Sequence, residues 1–185
     1  MRILAISGSL RTASGNSRLI EALPALVPPG VEVVIWRGLD TLPYFNPDLD
    51  GETPPTAVAE LRRQVGLAHG LVICSPEYAH GVSGAMKNAL DWLVSSLEFP
   101  AIPLALINAA PRAVHAIAHL RETLTTMSAA FVEAACVTVP LQGRDLSPAQ
   151  IPEVPEVGGV LARAMADFCA ALPALQAQRL FDNRS

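Results

Sequence analysis

Apolar positions along the chain follow two rhythms. Residues 2–7 (RILAIS), 31–36 (VEVVIW), 70–75 (GLVICS) and 103–109 (PLALINA) are short, nearly continuous apolar runs rich in branched side chains. Runs of this kind, bounded by turn-forming residues, predict strands covered on both faces. A last strand is predicted within 131–140. Between the runs the spacing changes to three or four. Val58, Leu61, Val65 and Ala68 predict a helix over 56–68, and Met86, Leu90, Leu93 and Leu97 predict one over 84–97. Further helices are predicted over 17–27, 114–129 and 157–180. Pro24 is expected to kink or end the first, and Pro173 to interrupt the last. The proline-punctuated stretches 38–55 and 141–156 read as loops.

Apolar strands alternating with helices predict an α/β fold: a doubly wound, five-stranded parallel sheet in the order 2-1-3-4-5 with helices on both faces. The 185 residues suit one domain spanning 1–185, with the last few residues expected to be disordered. In such sheets ligands sit beyond the carboxyl ends of the strands, at the switch between strands 1 and 3. The loops after strands 1, 3 and 4 are therefore the ones to inspect.

The first is GSLRTASGNS, residues 8–17. Gly8 permits a sharp turn. Ser9, Thr12, Ser14 and Ser17 bring hydroxyls, and the backbone amides of such a loop can converge on an anion. Asn16 or Ser14 is the N-cap candidate for a helix whose positive end points at the same spot. Arg11 adds a guanidinium suited to phosphate oxygens. The P-loop lysine is missing. Gly8 and Gly15 do not have dinucleotide-fingerprint spacing, and strand 2 ends in Trp36-Arg37 rather than an acid for a ribose. A mononucleotide phosphate site remains, against the alternative of an ordinary solvated connection.

The second is SPEYAHGVSGAMKNALDW, residues 75–92. Pro76 stiffens the strand exit, Gly81 and Gly84 allow tight geometry, and Ser83 can cap the next helix. A Pro-Tyr segment beside a phosphate nest suits a planar ring, its polar edge met by backbone amides. Met86, Leu90, Trp92 and Leu93 read as core or subunit interface, and Lys87 with Asp91 as a structural or interface ion pair. In the third, NAAPRAVHAIAH (108–119), Asn108, Ala109 and Ala110 face the crevice, and Arg112 meets either a nicotinamide nucleotide phosphate or solvent.

Composition narrows the classes. Half the residues are hydrophobic, 51%, and 16% are charged, a globular profile. A net charge of −4 gives no footprint for nucleic acid, and no Lys/Arg cluster points to a membrane surface. Met1-Arg2 leads straight into ILAIS, too short for a signal peptide, and no run approaches the roughly 18 apolar residues of a membrane span. Cys74, Cys136 and Cys169 are an odd, scattered set, expected as reduced core thiols in the cytoplasm. No metal is expected. Asn46, Asp48, Asp50 and Gly51 imitate the start of a calcium loop, but its twelfth position is Ala57 and Pro54-Pro55 break it. His115, His119 and Glu122 share a helix face that reads as polar or interface surface, and His80 as solvated or substrate-adjacent.

With these loops in place the sequence resembles the NADPH-dependent FMN reductases, flavodoxin-like proteins that include quinone, azo-dye and chromate reductases. The resemblance rests on GSLRTASGNS, SPEYAHGVSGAMKNALDW and PLALINAAPR, and its layout covers roughly residues 1–170. It implies that Ser9, Arg11, Ser14, Asn16 and Ser17 hold the flavin mononucleotide (FMN) phosphate. It also implies that Pro76, Glu77, Tyr78 and Ala79 lie against the isoalloxazine, with Ala110 and Pro111 as a third wall. Two departures stand out: Ala79 where the family often has asparagine, and Arg112-Ala113-Val114-His115 where a glycine-rich run is usual.

The implied activity is hydride transfer from NADPH or NADH to flavin N5, then by ping-pong to a quinone-like, azo, metal-oxyanion or free flavin acceptor. The flavin carries the chemistry, so no acid–base triad is expected. A homodimer or homotetramer is implied, with the 84–97 helix a candidate interface. A flavodoxin-like electron carrier and a flavin-free binding module are the alternatives.

Overall fold

The structure is a computed structural model and describes residues 1–141 and 143–182. In chain order its elements are β1 (Arg2–Ser7), α1 (Gly15–Ala22), β2 (Glu32–Trp36), α2 (Thr56–Gly66), β3 (Gly70–Cys74), β4 (Glu77–Tyr78) and β5 (Gly81–Val82). These are followed by α3 (Gly84–Leu93), β6 (Pro103–Asn108), α4 (Val114–Thr126), β7 (Ala130–Phe131), β8 (Val137–Thr138) and α5 (Val160–Asp182). The residues 183–185, where disorder is expected, lie outside the described residues.

The main sheet is parallel, in the order β2-β1-β3-β6, with β7 and β8 both paired to β6 at the far edge. This is the doubly wound 2-1-3-4-5 arrangement. Its register places Ile3 beside Val33 on one side and Gly70 on the other, and Leu71 beside Leu104. Every residue of β3 and β6 is buried, which is why both read as unbroken apolar runs. Side chains alternate across β1. Ile3 and Ala5 join Leu19 and Phe168 in the core under α1 and α5, while Leu4 and Ile6 join Leu61, Trp92 and Leu124 under α2, α3 and α4.

Several boundaries differ from the sequence pattern, each for a local reason. The first helix is α-helical only to Ala22 and tightens to a 3₁₀ turn at Leu23–Ala25, as Pro24 demands. α3 stops at Leu93 rather than 97. Arg62 takes the Trp92 carbonyl at 2.7 Å, and the Ser95 hydroxyl donates to Asp50 at 2.5 Å, drawing the chain away and leaving Leu97 87% exposed. The fifth strand is split. β7 pairs with the start of β6 and β8 with its end, around a 3₁₀ turn at Glu133–Ala135. Arg121 on α4 holds the Glu133 carboxylate through two bonds of 2.6 and 2.9 Å, pulling this short, weakly β-forming edge segment out of the ladder.

The expected interruption at Pro173 does not occur: α5 continues through it. Tertiary anchors hold the helix on both sides of the missing amide. Phe168, Cys169 and Leu172 are buried before it, and Arg179 after it donates to the Pro100 and Glu98 carbonyls. By length and mean hydropathy alone, Pro155–Arg179 is long and apolar enough to cross a membrane. In this fold it covers the sheet, with Leu161, Met165 and Phe168 fully buried.

Candidate functional site

The loops after β1, β3 and β6 meet at the carboxyl edge of the sheet. Gly8 extends the strand pairing, its amide donating to the Cys74 carbonyl at 2.8 Å. Ser83, the N-cap of α3, donates its hydroxyl to the Gly8 carbonyl at 2.6 Å and lies 3.4 Å from the Ser75 hydroxyl. Ser75 and Ser83 are both buried. The first and second loops are thus tied together through Gly8.

Beyond Gly8 the first loop folds on its own hydroxyls. The Ser9 amide donates to Ser7 Oγ and the Arg11 amide to Ser9 Oγ, both at 3.3 Å. Ser7 Oγ and Ser17 Oγ are 2.9 Å apart. Ser14, not Asn16, caps α1: its backbone is extended and its Oγ accepts from the Ser17 amide at 3.4 Å. Asn16 lies inside the first turn, where its Oδ1 accepts from the buried Cys74 thiol at 3.1 Å. Burial pushes that thiol up to about 12, so Cys74 is a neutral core group and not a nucleophile. Cys136 and Cys169 are also raised by burial, and all three cysteines are free thiols.

Two of the clefts that border this loop hold sequence-predicted residues. One, of about 320 Å³, runs toward β2 and is lined by Ser9, Arg11 and Ser17 together with Trp36, Arg37 and Asp40. The other, of about 290 Å³, lies toward β6 and is lined by Asn16, Ser75, Pro76, Glu77, Ala110 and Arg112 among others. The eleven sequence-predicted residues therefore divide. Ser9, Arg11 and Ser17 face the first cleft, and Asn16, Pro76, Glu77 and Ala110 the second. Ser14 is buried as a cap between them, and Tyr78, Ala79 and Pro111 are exposed at the rim. Arg11 is exposed and pairs with no carboxylate among the described residues.

The second loop forms a two-residue hairpin that the sequence pattern did not reveal. Glu77 pairs with Val82 and Tyr78 with Gly81, and both turn residues, Ala79 and His80, have positive φ (49° and 61°). A turn with both central residues left-handed matches the twist of a tight hairpin. Glu77 has a second duty. The N-cap position of α4 is Ala113, which offers no side-chain acceptor, and Glu77 Oε2 accepts from the Ala116 amide at 2.8 Å instead. An uncapped helix start was the one sequence signal pointing to such a remote partner. His80 stacks on His115 with ring centroids 4.2 Å apart, so His115 faces the hairpin rather than sharing a site with His119. In the last loop, buried Asn108 turns its Oδ1 back onto the Ala110 amide at 3.0 Å.

Among the described residues, no group of three or more His, Cys, Asp or Glu is placed to hold a metal. In the calcium-like stretch Asn46 caps a 3₁₀ turn, and Asp50 is engaged by Arg62 at 2.6 Å. Lys87 and Asp91 form the expected ion pair at 2.5 Å, and Met86, Leu90, Trp92 and Leu93 are core.

The family model described as NADPH-dependent FMN reductase matches residues 1–143, which contain all three loops. The chain belongs to the NADPH-dependent FMN reductase family. It is 35% identical over 129 residues to an NAD(P)H-dependent FMN reductase of Pseudomonas aeruginosa, a match covering 67% of this chain and 69% of that protein. A quinone reductase of Escherichia coli strain K12 is 35% identical over 94 residues, half of each chain. Its fold is shared with the FerB flavoenzyme NAD(P)H:(acceptor) oxidoreductase of Paracoccus denitrificans (TM-score 0.65, 21% identity, 96% of this chain and 94% of that one). It is also shared with RosB bound to 8-demethyl-8-formylriboflavin-5′-phosphate (TM-score 0.70, 17% identity, 97% and 81%).

The residues present fit the FMN that this family implies. The first loop brings three hydroxyls and a guanidinium with no carboxylate partner among the described residues to one edge of the sheet, a donor set suited to a phosphate. Beside it, the cleft toward β6 is walled by Pro76 and Ala110, small and rigid enough to receive a flat ring.

Proposed function

We propose that this chain is an FMN-dependent NAD(P)H oxidoreductase acting on small-molecule electron acceptors. The observation that carries the reading is the first loop, where Arg11, with no carboxylate partner among the described residues, stands beside the hydroxyls of Ser9 and Ser17. In this reading Arg11 grips phosphate oxygens, Ser9 and Ser17 donate to them, and Ser14 holds the start of α1 in place. Pro76, Tyr78, Ala79, Ala110 and Pro111 border the ring. Glu77 positions rather than reacts, since its carboxylate is bonded to α4.

Bound flavin supplies the capacity to accept a hydride and pass on electrons; the protein binds, orients and excludes water. With one ring-side cleft, nicotinamide and acceptor take turns there, so ping-pong kinetics are expected. The acceptor class is quinone-like, azo, metal-oxyanion or free flavin. A homodimer or homotetramer belongs to the same reading, supported by exposed Val94 and Leu97 just past α3. Free core thiols support a cytoplasmic location.

The test is steady-state oxidation of NADPH and NADH by the FMN-loaded protein with a quinone as acceptor. Turnover with parallel double-reciprocal lines is expected. A protein that binds FMN but leaves both nicotinamides unoxidised would be a carrier rather than a reductase.

A further inference from the structure

The cleft on the β2 side of the first loop is larger than a phosphate requires. At about 320 Å³ it has room for some ten waters, taking a water's share as about 30 Å³. Its near wall is the loop itself, with Ser9, Arg11 and Ser17, and its far wall is the end of β2 and the turn that follows it, with Trp36, Arg37 and Asp40.

The far wall carries three kinds of group. Trp36 is a partly buried aromatic that lines the cleft while packing on the core under α2 and α3 and against the backbone of Gly38, where a β-carbon would fall 2.5 Å from the indole. Asp40 is exposed and unpaired among the described residues, in the 3₁₀ turn Leu39–Thr41. Arg37 is tethered by Glu21 at 2.7 Å, yet its side chain is still 66% exposed and keeps free donors. An apolar lining of Ile20, Ile35 and Leu39 beside Trp36 suits a base, a carboxylate near the end of the second strand suits ribose hydroxyls, and an arginine beside it suits a further phosphate. The strand itself ends in Trp36-Arg37, so the acid is supplied three residues later, by the turn.

We propose that this cleft is a second nucleotide subsite that takes an adenylate: adenine toward Trp36, ribose toward Asp40, and phosphate toward Arg11 and Arg37. The proposal rests on the reading that the first loop holds a flavin phosphate, because the cleft shares that loop's residues. The adenylate has two possible sources of one chemistry. It is either the second half of a flavin dinucleotide whose first phosphate sits in the loop, or the adenylate of the nicotinamide cosubstrate.

The experiment titrates FMN-loaded protein with 5′-AMP and with 2′,5′-ADP, by calorimetry and by Trp36 emission. The other tryptophan, Trp92, is fully buried and serves as an internal reference. In parallel, flavin-free protein is titrated with FMN and with FAD. Saturable adenylate binding beside FMN is expected, weakened about tenfold in Asp40→Ala and in Arg37→Ala, each substitution removing one charged hydrogen-bond partner, with FMN affinity unchanged. FAD binding more tightly than FMN assigns the subsite to the flavin. Equal flavin affinities with adenylate still bound beside FMN assign it to the nicotinamide cosubstrate: 5′-AMP preferred over 2′,5′-ADP marks NADH, with Asp40 on the ribose, and the reverse preference, abolished by Arg37→Ala, marks NADPH.

The inference is overturned if neither adenylate binds FMN-loaded protein while FAD binds no better than FMN, or if the adenylates only displace FMN. In either case the flavin reading stands. If FMN itself fails to bind, the flavin reading falls. Adenylate binding to the flavin-free chain with the same dependence on Asp40 and Arg37 would then still support the subsite, and its absence would end it.

Discussion

Gly8 and Ser75 are packed so closely that a β-carbon on Gly8 would stand 2.3 Å from the Ser75 hydroxyl and 2.8 Å from its β-carbon. The two residues join the first and second loops, so this contact sets how far apart they stand. Gly8→Ala is expected to cost about 1–3 kcal/mol by overpacking. Gly8→Ala with Ser75→Gly is expected to recover most of that. Urea denaturation of the single and double variants checks it, and additive losses would show that the two do not meet.

Glu77 serves the start of α4 from a different loop. Glu77→Ala leaves the Ala116 amide without its acceptor and is expected to cost about 1 kcal/mol, as loss of an N-cap does. Glu77→Gln keeps an oxygen in place and is expected to cost less. Hydrogen exchange at the Ala116 amide is the local readout and should speed up in the alanine variant.

Ala79 and His80 both occupy the left-handed region, where a non-glycine residue costs about 1–2 kcal/mol. Asparagine tolerates that region better than alanine. Ala79→Asn is therefore expected to raise stability, by up to about 1 kcal/mol, seen as an increase in Tm. No increase would indicate that the hairpin is held in some other way.

Asp50 accepts from Ser95 and pairs with Arg62, and these together hold its carboxyl below the usual aspartate value despite the opposing effect of burial. A group depressed on folding adds stability that is complete above its unfolded pKa and is lost as pH falls through the folded one. The contribution is present at neutral pH and fades below about pH 4. The Tm difference between wild type and Asp50→Asn should accordingly narrow as the pH is lowered. The size is modest, because the opposing effect of burial offsets part of the lowering.

What could be read from the sequence depended on whether the cause was local. β3 and β6 were legible because burial on both faces leaves no polar position to confuse the pattern before Asn108 at the end of β6. A polar cap at Ser14 or Asn16 and the role of Pro24 were legible because each acts within a few residues of itself, though the choice of Ser14 came only with the structure. α5 passing through Pro173 was not, since its anchors are Pro100 and Glu98, far away in sequence. The split of the last strand depends on Arg121 reaching Glu133 from a neighbouring helix. At the site, the hydroxyl-rich loop announced itself, whereas the Gly8–Ser75 contact, the Glu77 bond to α4 and the His80–His115 stack exist only once separate loops are brought together.

The central claim is that the first loop recognises a phosphate, and comparing FMN with riboflavin, which differs only in lacking that phosphate, tests it most directly. Fluorescence titration of the flavin-free protein should show FMN binding about a hundredfold or more tighter than riboflavin, several charged hydrogen bonds being at stake. Arg11→Ala should weaken FMN by about 1.5–3 kcal/mol and leave riboflavin unaffected. Equal affinity for the two flavins, with no effect of Arg11→Ala, would contradict the account.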